Sequence, residues 1–336
     1  MLSAYHDQLI NIRRQLHQNP EEGWSEFTTT AFLVTTLRGY GYDVLLGRKV
    51  IDPEACLGRE ESVVKAGLER ARRNGVSEEL LAEMEELTGC VAVLDTGRPG
   101  PTLAIRFDID CVPVTECTDE THVPAKEGFI SKNPGFMHAC GHDGHMAVCA
   151  ALCRVLGALS EEEKSKAKRN ALVLFQSGEE SAGGAQAVVD SGILAETRTD
   201  RIFALHLWPK LKKGKVYSTA GVCLAQNAEG DITISCPQSH AADDGADSLA
   251  EAARLLLSLE KEVSETGSAK SPCLLKFGRL TGCEICRTSG LAAEIRSIER
   301  ALKGVSSCNE RPSGARNVIG GGFKLEGTLR AVEPRA

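Results

Sequence analysis

Aromatic residues are scarce in this chain, at 4% of 336 positions with two tryptophans, so its interior has to be built from Leu, Val, Ile and Ala. Such a composition suits helices layered on a sheet. No window approaches the roughly 18 uninterrupted apolar residues that a membrane span requires. The N-terminus, MLSAYHDQLINIRRQLHQ, carries Asp7 and other polar residues where a secretory signal needs a continuous apolar stretch. Long basic runs are missing too, and the net charge is −7, which argues against a nucleic-acid surface because phosphate binding needs clustered Lys and Arg. There is no internal repeat and no low-complexity tract. These absences leave a soluble, cytoplasmic globular protein that engages neither nucleic acid nor membrane. At 42% hydrophobic and 25% charged residues, the chain is long enough for two domains. Thirteen cysteines might suggest disulfides, but the count is odd, and Cys149 and Cys153 stand at i, i+4 in an apolar helical pattern. Most read as small buried hydrophobes in a reducing compartment.

Along the chain, Leu9, Ile12 and Leu16 share one helical face before Asn19-Pro20 ends the segment. Ser25 is expected to cap a second helix that runs to about Gly39. A charged stretch over 58–87 reads as two helices split at Asn74-Gly75, with Ser77 capping the second, and is expected to be a surface insertion. CVAVLD and TLAIRFDID are short β-rich runs, while ALVLFQ and RIFALHL read as strands buried on both faces. Alternation of such strands with helices predicts an α/β fold with a mainly parallel sheet flanked by helices. From about 223 the texture changes to DITISC, DSLAEAARLLLSLEKEV, CLLKFGRL, LAAEIRSIERALKG and GGFKLEGTLRA, which predicts a smaller second α/β domain.

Histidine is also rare, with eight in all, yet three fall within MHACGHDGHMA at 137–147. Cys140 and His142 flank one glycine, so a loop can turn both donors inward. His145 lies a turn into the following helix and reads, like His138, as supporting. Taken alone, a C-x-H is weak evidence for a metal. Asp108 and Asp110 close a strand at period-two spacing, however; Glu179 and Glu180 follow ALVLFQ, and His206 closes RIFALHL. Acids and histidines collected at the carboxyl ends of strands are the hard and borderline ligands of a hydrolytic metal site. CEIC at 283–286 has no second C-x-x-C and reads as two ordinary thiols.

RRQLHQNPEEGWSEF, LDTGRPGPTLAIRFDID, GFMHACGHDGH, LVLFQSGEE, ALHLWP, SHAA, NVI and EGTLR occur in one order across nearly the whole chain. In these stretches the sequence resembles the metal-dependent amidohydrolases of peptidase family M20, most closely its aminobenzoyl-glutamate hydrolase branch. The resemblance implies a catalytic domain over 1–222, an inserted lid or dimerisation domain over 223–332, and a return to the catalytic domain at 333–336. It implies a divalent metal, Zn or Mn, held by Cys140, His142, Glu180 and His206 in what is a two-metal site in relatives. Glu179 would be the general base, and Asp110 would orient a metal-bound histidine. His240 from the lid would stabilise an oxyanion, and Asn317 and Arg330 would hold a substrate carboxylate. The implied substrate is an N-acyl amino acid, with p-aminobenzoyl-glutamate first among them, and the implied assembly is a homodimer or a heterodimer with a related chain. No histidine follows His240, and the family's further histidine ligand lies in the part of the catalytic domain beyond RAVEPRA. The alternative expectation is therefore a truncated or degenerate subunit that binds without catalysing, or a general N-acyl-amino-acid amidohydrolase.

Overall fold

The computed structural model describes residues 5–97, 100–167, 169–181, 183–218, 220, 224–235, 248–266, 273–282 and 322–331. The chain divides into two compact units, Met1–Lys212 and Lys213–Ala336.

The first unit begins with α1 (His6–His17), α2 (Phe27–Gly39), β1 (Asp43–Leu45), α3 (Glu61–Arg73), α4 (Glu78–Met84), β2 (Cys90–Leu94) and β3 (Thr102–Asp108). It continues with α5 (Val123–Lys126), α6 (His142–Gly157), α7 (Glu161–Lys166), β4 (Asn170–Gln176), α8 (Gly184–Asp190), α9 (Ile193–Glu196) and β5 (Thr199–Ala204). The five strands form one sheet in the order β1-β2-β4-β3-β5. β3 runs parallel to both β4 and β5, whereas β1 and β2 add antiparallel pairings. The fold is thus α/β around a mixed sheet. The parallel β3, β4 and β5 are joined through intervening helices, as crossover connections demand.

Strand alternation separates two cores. Val173 and Phe175 of β4 join Phe107, Leu33, Val34, Leu37, Met146, Cys149 and Cys153 on the α2/α6 side. Leu172 and Leu174 point the other way, into Trp24, Val50, Ile51, Ala187, Val188 and Ile193. Period-two geometry thus turns one apolar run into the centre of both layers.

Three expectations are corrected. The 58–87 helices are not simply surface: Val64, Ala71, Leu81 and Met84 are buried in the first core, and Arg70 of α3 reaches Glu21 and Ser25. Their many charges mask a narrow apolar stripe. Ser77 does cap α4, accepting from Leu80 N, but Glu26, not Ser25, is the N-cap of α2. RIFALHL is not a buried strand, since Ile202 and Phe203 of β5 are 53% and 58% exposed. Among the described residues β5 ends the sheet order and is hydrogen-bonded on one side only, so its apolar composition does not report burial.

The second unit contains β6 (Gln226–Ser235), α10 (Ser248–Thr266), β7 (Cys273–Gly282) and β8 (Gly322–Ala331). Its sheet is antiparallel in the order β6-β8-β7. Ala250, Ala252 and Ala253 of α10 and Leu325 of β8 are buried. CEIC and the helix expected over LAAEIRSIERALKG lie outside the described residues.

Candidate metal centre

Because β3, β4 and β5 are parallel, their carboxyl ends share one edge of the sheet, where open α/β folds place their ligands. Asp108 and Asp110 leave β3 there, Ser177–Glu180 leave β4, and His206 follows β5. The amino end of α6 arrives with Gly141 as its N-cap at φ +94°. That left-handed conformation is open to glycine, and it lets Cys140 and His142 approach from either side of a single residue.

Asp110 is the hub. Its side chain is fully buried, and its Oδ2 accepts from the backbone N–H of Glu180 at 2.8 Å. The His142 Nδ1–H donates to Asp110, at 2.8 Å to the carbonyl and 3.2 Å to Oδ1. With Nδ1 so committed, Nε2 is the His142 atom left to take a proton or an ion, and it is buried without a hydrogen-bond partner. Around it stand Glu180 Oε1 at 3.7 Å, Glu179 Oε2 at 3.8 Å and Asp108 Oδ2 at 3.9 Å. Burial alone would lower the His142 pKa, but the hydrogen bond to Asp110 and the charges of Asp110 and Asp108 push it up to about 11, so without an ion Nε2 binds a proton. The pocket therefore demands a positive charge.

His206 repeats the same tautomer logic. Its Nδ1–H donates to the carbonyl of Leu207 at 2.6 Å, which leaves Nε2 facing Cys140 Sγ at 3.4 Å. Donor separations of 3.4 to 3.8 Å match two ligands bound at about 2.0–2.3 Å from one ion. Cys140, His142 and His206 lie within mutual ligand reach, as do Asp110, His142 and Glu179. A thiolate, neutral imidazoles and carboxylates also suit a borderline divalent ion, so the residues fit the metal that the sequence implied.

Asp108, His142 and His145 form a third such group, but hydrogen bonding disqualifies His145 as a ligand. The backbone N–H of Leu207 donates to its Nε2 at 2.9 Å, so the neutral ring keeps its proton on Nδ1, the atom 3.7 Å from Asp108. Burial and the neighbouring His142 hold the His145 pKa down at about 3, which keeps that ring neutral. Burial raises Asp108 to about 6 against the opposing charge of Arg106, with which it forms an ion pair.

Of the residues singled out in the sequence, Cys140, His142, Glu179, Glu180, His206, Asp108 and Asp110 converge. Arg330 is exposed near the end of β8, opposite Asn227 and Leu274. His240 and Asn317 lie outside the described residues. Two features escape a reading of the sequence. One is the buried His17, which bonds Asp143 at 2.8 Å and Glu116 at 2.9 Å beneath the start of α6. The other is Glu26, a buried acid in GWSEF whose spacing to other acids signals nothing.

Buried imidazoles with fixed tautomers, set among carboxylates where parallel strands end, define a candidate metal centre. The sequence profile of peptidase family M20/M25/M40 matches residues 104–323, and the chain belongs to that family. It is 43% identical over 189 residues to a Haemophilus influenzae homolog of one subunit of p-aminobenzoyl-glutamate hydrolase, covering 56% of this chain and 44% of that protein. It is 37% identical over 272 residues to the indole-3-acetyl-aspartic acid hydrolase of Enterobacter agglomerans, covering 77% and 60% respectively. Among solved structures it resembles the aminobenzoyl-glutamate utilization protein from Klebsiella pneumoniae, with 25% identity and a TM-score of 0.67 over 99% of this chain and 69% of the other. The chain thus spans 44% to 60% of the length of the two relatives compared by sequence. No helix among the described residues is long and apolar enough to cross a membrane.

Proposed function

We propose that this chain carries the metal centre of an amidohydrolase that cleaves the amide bond of N-acyl amino acids. The supporting observation is the orphaned, buried Nε2 of His142 surrounded by Cys140, Glu179, Glu180 and His206. In this reading Cys140, His142, Glu180 and His206 hold a divalent cation, Zn or Mn, which when bound supplies Lewis acidity to the amide carbonyl and lowers the pKa of water towards ~7. Glu179, at the partly exposed side of the cluster, takes the proton of the attacking water and returns it to the leaving amine. Asp110 fixes the His142 tautomer, as outer partners of metal-bound histidines do. His240 stabilises the oxyanion, and Asn317 and Arg330 bind the substrate carboxylate, a role suited to a permanently charged guanidinium.

The two relatives named above are described by conjugates of glutamate and of aspartic acid, which supports an acidic amino acid as the leaving half and p-aminobenzoyl-glutamate as the leading substrate. Likeness to one subunit of such a hydrolase supports a related partner chain, in a heterodimer or a homodimer. The segment 223–332 would then be the lid or dimerisation domain of a catalytic body formed by 1–222 and resumed at 333. The free thiols of the described cysteines suit the cytoplasm. A second reading, in which the chain is inactive without a partner, draws support from the exposed apolar edge of β5.

Metal analysis combined with an assay for glutamate release from p-aminobenzoyl-glutamate tests the proposal. Stoichiometric metal and turnover are expected, with Glu179→Ala abolishing turnover while metal content and fold persist. Protein that binds metal yet stays inactive until a partner chain is added would favour the second reading. Protein that takes up neither Zn nor Mn would remove both.

A further inference from the structure

The turn that carries Glu179 and Glu180 is held from two sides by carboxyl groups outside the ligand set assigned above. Asp110 holds it at the Glu180 N–H. The second holder is Glu26, at the start of α2, whose side chain is fully buried. Its Oε1 accepts from the backbone N–H of Gly178 at 3.0 Å, and its Oε2 accepts from the Thr88 hydroxyl at 2.6 Å. Gly178 is itself a constrained point. It adopts φ +60°, and a Cβ there would lie 2.8 Å from the Trp24 ring, so the turn cannot shift towards Trp24 without a clash. A buried acid is costly unless its hydrogen bonds are complete, and both of these bonds of Glu26 go to the turn or to Thr88, the second residue before β2.

Resting on the hydrolase reading above, we propose that Glu26 is a positioning residue: through the Gly178 N–H it sets where the Glu179 and Glu180 carboxylates sit relative to His142. Burial and the nearby charge of Asp110 push the Glu26 pKa up to about 8; in the neutral acid Oε1 still accepts from Gly178 while a protonated Oε2 donates to the Thr88 oxygen, an arrangement the amide of glutamine reproduces. The holding is done by hydrogen bonds rather than by charge.

Glu26→Ala, Glu26→Gln and Thr88→Val separate these roles in the full chain. The readouts are cobalt(II) affinity of the metal-free protein by absorption titration, hydrogen exchange at the Gly178 amide, and the split between kcat and KM. Glu26→Ala is expected to weaken cobalt binding by about 10- to 100-fold, to speed Gly178 exchange, and to lower kcat with KM within about twofold. Glu26→Gln keeps a carbonyl for Gly178 and is expected to stay near wild type in all three. Unchanged cobalt affinity in Glu26→Ala, or a glutamine variant as impaired as the alanine, overturns the proposal. If Glu26→Ala does not fold, the other two variants decide: a near-wild-type glutamine with a partial loss in Thr88→Val supports it, whereas an impaired glutamine or an unaffected Thr88→Val overturns it. Wild-type protein without glutamate release, but with cobalt affinity and exchange behaving as expected, would remove the hydrolase reading and leave the role of Glu26 standing.

Discussion

The inner wall and the outer rim of the candidate metal pocket are built differently. Asp108, Asp110, His142 and His145, from β3, the residues just after it and the first turn of α6, are each at most 1% exposed. The rim consists of loop residues: Glu179 and Glu180 have side chains 36% and 27% exposed, and His206 is open to solvent. The wall is part of the protein core, and its bonds between Asp110 and His142 orient one imidazole in advance of any ion. The rim supplies donors whose removal costs the fold little. Wall substitutions should therefore damage stability and metal binding together, and rim substitutions should damage metal binding alone.

The largest expected effect is at Asp110, which joins the His142 ring to the Glu180 backbone. Asp110→Ala should lower unfolding free energy by about 3 kcal/mol, as breaking a buried charged network does, and weaken metal binding at least about tenfold. Denaturant melts and calorimetric titration would measure both, and a variant of wild-type stability would erase the distinction between wall and rim. His17 should come next, because it braces Asp143 behind the wall. Burial lowers its pKa, but bonds to Asp143 and Glu116 more than compensate, and the value stands above the ordinary 6.5. The folded protein thus binds this proton more tightly than the unfolded chain. The stabilisation is complete below the unfolded value and fades as pH rises through the raised folded value. His17→Ala should accordingly destabilise by about 2–3 kcal/mol at mildly acidic pH and by less in alkaline buffer; a loss independent of pH would show that His17 acts by packing alone. The smallest stability effect is expected at the rim. Cys140→Ser should stay within about 0.5 kcal/mol of wild type yet abolish the thiolate-to-cobalt charge-transfer band, and a band that survives would remove Cys140 from the ligand set.

Much of this organisation is legible in the residues alone. The run ALVLFQ announces a strand with two apolar faces, and β4 does divide its residues between two cores. Ser77 is readable as a cap because capping is local chemistry between a hydroxyl and an N–H three residues on. RIFALHL misleads because apolar composition reports what a strand could bury, whereas exposure depends on its neighbours in the sheet. The charged helices over 58–87 mislead in the opposite direction, since a stripe of Val64, Ala71 and Leu81 suffices to dock them.

The sequence by itself determined which donors exist and where they are punctuated. A cysteine and a histidine flank a glycine, two acids follow one strand, and a histidine follows another. Those facts depend on residue type and on period, which are local. Only the tertiary structure decided which atoms are free to bind. His142 and His145 are close neighbours in one helix, yet Asp110 occupies Nδ1 of the first and Leu207 occupies Nε2 of the second. One imidazole therefore keeps Nε2 available for an ion that displaces its proton, whereas the other has its lone pair taken by a backbone N–H. That outcome rests on hydrogen bonds to residues 32 and 62 positions away in the chain, and a ring nitrogen can offer its lone pair to only one partner at a time.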